Sequence, residues 1–219
     1  MKGRIGFRLC THDYQCPTCE FDQYFDAQHT VRAVVTPLDI SQIRGFKIPQ
    51  GYYLHKGHAW AMLEEGPYVR IGMDDFSLRL LGPLDAIRSP LVGKRIKQGD
   101  PDTAVQKGNK RAVVMSPVSG IVTDINPGLR DTGGLAADHP YAAGWVMRVH
   151  AENLREDLKH LMIHGETADF LNKEIDTLYQ LIEAEAGPMA TDGGVLAPDI
   201  SGNLPQLGWD RLARQFLRT

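Results

Sequence analysis

The chain has 219 residues, 42% hydrophobic and 23% charged, a composition that suits a soluble domain with a core and some extension. A formal net charge of -3 gives no electrostatic reason to expect nucleic acid or an anionic membrane as partner. No apolar run approaches the ~20 residues that span a bilayer. The stretch MKGRIGFRLC carries positive charge without the apolar segment of a secretory signal, so a cytoplasmic protein without membrane insertion is expected.

All three cysteines fall in CTHDYQCPTC, residues 10–19. An odd, clustered set in a reducing compartment argues against a disulfide framework and for metal or redox chemistry. Cys16 and Cys19 in C-x-x-C spacing can reach one ion from a single tight turn. Cys10 with His12, or with a group from outside the segment, completes a tetrahedron. Zinc held by Cys10, His12, Cys16 and Cys19 is the simplest reading. An iron–sulfur cluster with a further ligand is the second. A redox pair of Cys16 and Cys19 is the third, weakened because no βαβ pattern surrounds it.

Phe21, Tyr24 and Phe25 follow at helical spacing, and VRAVV at 31–35 suits a strand or an extended linker. Pro37 and Pro49 bracket a segment without a clear pattern. From Gly51 the chain reads as many short strands with Gly and Pro punctuation, which points to a barrel or sandwich. One short helix interrupts them over DDFSLRLLG, with Asp74 as cap and Gly82 as stop. Two helical segments follow, NLREDLKHLM and ETADFLNKEIDTLYQLIEAEAG, with Asn153 and Thr167 as starts and Gly187-Pro188 as a stop. Residues 187–205 read as a linker, and WDRLARQFL as an amphipathic helix with Trp209, Leu212, Phe216 and Leu217 near one face. The expected organisation is an N-terminal extension over 1–50, a main domain with its helices over 51–186, and a linker with terminal helix over 187–219.

Several spaced motifs carry a resemblance. They are His58-Ala59-Trp60, the run Val69-Arg70-Ile71-Gly72-Met73-Asp74-Asp75, Leu81-Gly82, and Ser89-Pro90-Leu91-Val92-Gly93. Ser116-Pro117-Val118-Ser119-Gly120, Asn126-Pro127, Pro140-Tyr141 and Gly144-Trp145 continue the series in order. Across residues 51–180 the chain resembles the H protein of the glycine cleavage system, a non-enzymatic lipoyl carrier. The resemblance implies an α+β, mainly β fold: a barrel-sandwich hybrid of the lipoyl-domain type. The C-terminal helices and the Cys-rich extension are added to it.

The resemblance departs at the hairpin before Ser116. The family's lipoyl lysine lies in E-S-V-K-A, at a fixed distance before Ser-Pro-Val-Ser-Gly. Counted without a gap, Gln106 stands at the glutamate, Gly108 at the valine and Asn109 at the lysine. Gly108-Asn109 also makes a good two-residue turn, since both residues tolerate positive φ. Lys107 and Lys110 then flank the turn as cross-strand neighbours, read as solvated charges rather than attachment sites. The remaining candidates receive structural readings. His58 packs beside Trp60, Asp74 and Asp75 cap a helix, and His160 and His164 lie on one solvated helix face.

The expected function is that of an H-protein-like accessory or adaptor subunit of a redox or multienzyme complex. It binds zinc or an iron–sulfur cluster near its N-terminus and carries no lipoate. A lipoyl carrier modified at Lys110 is one alternative. A thiol-based redox or regulatory protein using Cys16 and Cys19 is another.

Overall fold

Alternation of small and large apolar residues in one strand explains how the fold divides its interior. In a computed structural model, which describes residues 36–37, 39–187 and 196–219, that strand is β4 (Ala59–Leu63). Ala59 and Ala61 face one core while Trp60 and Met62 face another, so the run Ala-Trp-Ala-Met is buried on both sides. Trp60 lies flat on its cross-strand partner Gly72, where a Cβ would come within 2.4 Å of the indole ring. Only glycine admits that contact.

Among the described residues every strand pairing is antiparallel. A hairpin of β1 (Ile40–Ile43) and β2 (Phe46–Pro49) stands by itself as a two-stranded sheet. The larger sheet joins β3 (Tyr53–Leu54), β4, β5 (Tyr68–Met73), β11 (Trp145–Ala151), β10 (Gly120–Ile125) and β7 (Arg95–Ile96), in that spatial order. The third sheet has the order β6 (Ala86–Arg88), β8 (Pro101–Lys107), β9 (Lys110–Met115). Val69, Val122 and Val149 of the larger sheet share one core with Ile87, Val105 and Val114 of the smaller one. This is the two-layer β arrangement expected from the recurring short strands.

The helices close the second core. Helix α1 (Asp75–Leu81) is capped by Asp74, whose carboxylate accepts the Ser77 N–H at 2.8 Å, and it stops at Gly82 with φ +76°. Short helices α2 (Gly134–Asp138) and α3 (Leu154–Asp157) precede α4 (Gly165–Ala186). Leu171, Ile175, Leu178 and Ile182 of α4 pack on Trp60, Phe76 and Leu80. Helices α5 (Ile200–Asn203) and α6 (Trp209–Leu217) complete the unit, which runs from Thr36 to Thr219.

Five sequence expectations change. The Pro-bracketed segment forms the β1–β2 hairpin, turning at Arg44-Gly45 with φ of +48° and +88°. The helix expected over NLREDLKHLM ends at His160 with a 3-10 turn, because Met162 exchanges main-chain hydrogen bonds with Leu54 at 2.9 and 2.8 Å. That break carries His160 and His164 off a common helix face, and α4 starts at Gly165 rather than Thr167. Residues 200–207 are not plain linker, since α5 and a following 3-10 turn bury Ile200 and Leu207. The helix read after Cys19 and the strand read at 31–35 lie outside the described residues.

Trp209, Leu212, Phe216 and Leu217 all lie on the buried side of α6, as their spacing predicts. Phe216 is 1% exposed and meets the Phe76 ring edge-on at 5.3 Å. Phe216→Ala should therefore lower the free energy of unfolding by roughly 3–5 kcal/mol in a single urea transition. An unchanged transition would mean that the C-terminal helix folds as a separate appendage.

Candidate functional site

Hairpin β8–β9 has the geometry of a presenting arm. Lys107 pairs with Lys110, so the turn is Gly108-Asn109 as the sequence predicts. Gly108 takes φ +59° and Asn109 stays out of the left-handed region, which is the one-glycine pattern of a type II′ turn. The Asp85 carboxylate accepts the Gly108 N–H at 2.6 Å, and Asp85 N–H donates to Gln106 O at 2.8 Å. Gly108, Asn109, Lys110 and Arg111 are all exposed.

The two flanking lysines are not equivalent, and the expectation of two solvated charges fails for Lys107. Its Nζ donates to Leu81 O at 3.0 Å and to Asp199 Oδ1 at 2.9 Å, and lies 3.4 Å from Ser201 Oγ. Asp199 sits in the left-handed region at φ +61° and caps α5 through the Gly202 N–H. Burial raises the Asp199 pKa, but the Lys107 ammonium and that N–H outweigh it and hold the carboxyl below its ordinary value. Gly82 makes the clamp sterically feasible, since a Cβ there would overlap the Asp199 carboxylate. The Lys110 side chain has no ion pair or hydrogen bond among the described residues. The position of Lys107 explains the asymmetry. It shares the parity of buried Thr103 and Val105 and turns toward α1.

Beside the clamp lies a cleft of about 400 Å³ lined by Lys47, Asp75, Arg79, Asp138 and Asp199, among others. Burial raises the Asp75 carboxyl, opposed by the Lys47 N–H and the Arg79 guanidinium. The cleft can seat a group of mixed charge. No group of three or more candidate metal-binding side chains occurs among the described residues. Cys10, His12, Cys16 and Cys19 lie outside the described residues.

His58, expected to pack beside Trp60, also stacks on Phe76 and joins two carboxylates. It is 0% exposed, held at φ +62°, and stacked on Phe76 at 4.7 Å. Its Nδ1 lies 2.7 Å from Asp74 Oδ2 and its Nε2 3.2 Å from Glu174 Oε2. Arg218 donates to the other Glu174 oxygen at 2.6 Å. Burial opposes protonation of His58, but the two carboxylates prevail and raise its pKa to about 9. Neighbouring His55 goes the other way, lowered to about 4 by burial and by the positive charges of Lys56, Arg218 and His58. With both ring nitrogens committed and no exposure, His58 cannot carry protons to a substrate; it is a charged staple between β4, α1 and α4. Asp74 thus caps the helix and binds the histidine. The motif singled out His58, but nothing in the sequence joins it to Glu174, which is 116 positions away.

The family model described as glycine cleavage H-protein matches residues 52–174. A probable glycine cleavage system H protein from Pyrococcus horikoshii is 33% identical over 130 residues, covering 59% of this chain and 96% of that one. The glycine cleavage system H protein of Thermus thermophilus is 29% identical over 127 residues, covering 58% and 98%. The crystal structure of the Mycobacterium marinum glycine cleavage system H protein superposes with a TM-score of 0.51 at 22% identity, covering 58% and 98%, which supports the fold alone.

The histidine shifts fix how stability varies with pH. A histidine whose folded pKa is raised stabilises fully below its unfolded value, here 6.5, and that contribution is lost as pH rises through about 9. His55, lowered, stabilises above 6.5 and loses that contribution as pH falls through about 4. Urea unfolding should show wild-type stability declining from pH 6.5 to about 9, by up to about 3 kcal/mol. A His58→Gln variant should lose that decline. A variant that declined in parallel with wild type would remove His58 as its source.

Proposed function

The chain belongs to the glycine cleavage H-protein family, and we propose that within it this protein is a carrier scaffold without its arm, serving as an adaptor in a multienzyme assembly. It is not an enzyme, as members of that family are not. The single observation that carries the proposal is the turn Gly108-Asn109, with no lysine at the hairpin tip.

The tip does not fit a lipoyl group. A side-chain amide nitrogen such as that of Asn109 is delocalised into its carbonyl and is a poor nucleophile toward an activated acyl group. Lys107 has an amine, but its nitrogen is committed to Leu81 O and Asp199. Lys110 supports the second reading, a carrier modified one position past the tip, because it is exposed and its amine has no partner among the described residues. Register weighs against it, since Lys110 opens strand β9 on the inward-facing parity rather than at the apex of the turn.

The adaptor reading extends to three further proposals. The protein is cytoplasmic, in keeping with the absence of a helix long and apolar enough to cross a membrane among the described residues. The partners are subunits of a redox or multienzyme complex. Cys10, His12, Cys16 and Cys19 hold zinc or an iron–sulfur cluster, a reading that rests on their spacing. Cys16 and Cys19 as a redox pair remain the competing use of that segment.

Mass spectrometry of the full chain, produced beside an active lipoylation system, tests these together. Under denaturing conditions the polypeptide should have its encoded mass, and under native conditions it should gain the mass of bound metal. A denatured mass increased by one lipoyl group, and lost in Lys110→Arg, would establish the second reading instead.

A further inference from the structure

Strand β9 is the free edge of its sheet, since the order is β6, β8, β9. A two-residue turn makes Lys107 and Lys110 the hydrogen-bonded closing pair. Every second residue from Lys110 therefore directs its N–H and C=O at β8, while Arg111 and Val113 direct theirs away from it. One contact agrees with this polarity: the Thr219 hydroxyl donates to Val113 O at 2.9 Å. The Arg111 N–H and C=O have no partner among the described residues.

Alongside this edge runs a groove of about 410 Å³ between β9 and α6. Ala104, Ala112 and Ala213 line it with short side chains, which let another main chain approach closely. Arg111 and Arg214 are exposed at its rim together with Asp210, so cations outnumber carboxylates there two to one, and neither arginine has an ion pair among the described residues. Lys110 adds a third exposed cation one residue away, on a chain whose net charge is -3. The α6 wall lies beyond the residues matched by the family model, so this groove is a feature of the present chain.

We propose that the β9 edge and this groove take up an extended acidic segment of another protein, paired to β9 through the Arg111 main chain and held by Arg111 and Arg214. Main-chain pairing supplies register, short apolar side chains of the guest rest on the alanines, and its carboxylates meet the guanidinium groups. A second copy fits poorly, because edge-to-edge pairing would set Arg111 and Lys110 against the same cations. The proposal rests on the adaptor reading and names the chemistry of its partner.

Fluorescence anisotropy with the full chain tests it, using labelled peptides of alternating Glu and Val and of alternating Lys and Val. The acidic peptide should bind at least ~10-fold more tightly than the basic one. Arg111→Glu with Arg214→Glu should reverse that order; both sites are exposed, and circular dichroism checks the fold. N-methylation of the acidic peptide should weaken it by at least ~10-fold, because a methylated nitrogen cannot donate to the edge. Equal binding of the two peptides, or full affinity of the N-methylated one, would overturn the proposal. So would a dimer of this chain, seen by sedimentation, that the acidic peptide fails to dissociate. None of these outcomes depends on the lipoylation state that decides the adaptor reading.

Discussion

One carbonyl oxygen joins the parts of this protein that are far apart in sequence. Leu81 O, at the end of α1, accepts from Lys107 Nζ at 3.0 Å, Ser201 Oγ at 2.8 Å and Trp209 Nε1 at 3.1 Å. A helix end leaves its last carbonyls without partners inside the helix, so such an oxygen is a natural anchor. Here it ties the hairpin to the body and the C-terminal segment to both. Lys107 is consumed by that anchor, and the tip beyond it is left with an asparagine.

A second anchor lies on the other side of α1. Protonated His58 between Asp74 and Glu174 places one positive charge against two buried carboxylates, with Arg218 neutralising the second. Removing one member of a buried charged set strands the others, which makes such sets costly to break. Arg218 also donates to Lys56 O, so the C-terminal strand of contacts returns to the loop that holds His58. Trp209 and Arg218 thus fasten both ends of α6 and leave its exposed face, with Arg214, beside the β9 edge.

The fold was largely legible because its signals are local. Strand patterns, the Asp74 cap and the Gly82 stop all lie within a few residues of what they specify. The turn at Gly108-Asn109 was legible for the same reason, since a two-residue loop follows from glycine and register alone. What the sequence hid depends on distance. Asp199 reaches Lys107 across 92 positions and Glu174 reaches His58 across 116, and no periodicity encodes either pairing. The break before α4 was hidden too, because a main-chain bridge between Leu54 and Met162 overrides the helical spacing of Leu154, Leu158 and Leu161.

The proposed loss of the arm turns on position 109, at a tip where Gln106 and Gly108 also replace the glutamate and valine that the family resemblance implies. The rest of the hairpin stays in place: the Asp85 contact to Gly108, the pairing of β8 with β9, and the sheet that supports them. The most direct measurement exposes wild type and Asn109→Lys to lipoate and a lipoate ligase and compares their intact masses. Gain of one lipoyl group by the variant at position 109, with wild type unmodified, is the predicted result. A wild-type chain that takes up the group, or a variant that refuses it, would contradict the idea that the scaffold survives and only its arm is missing.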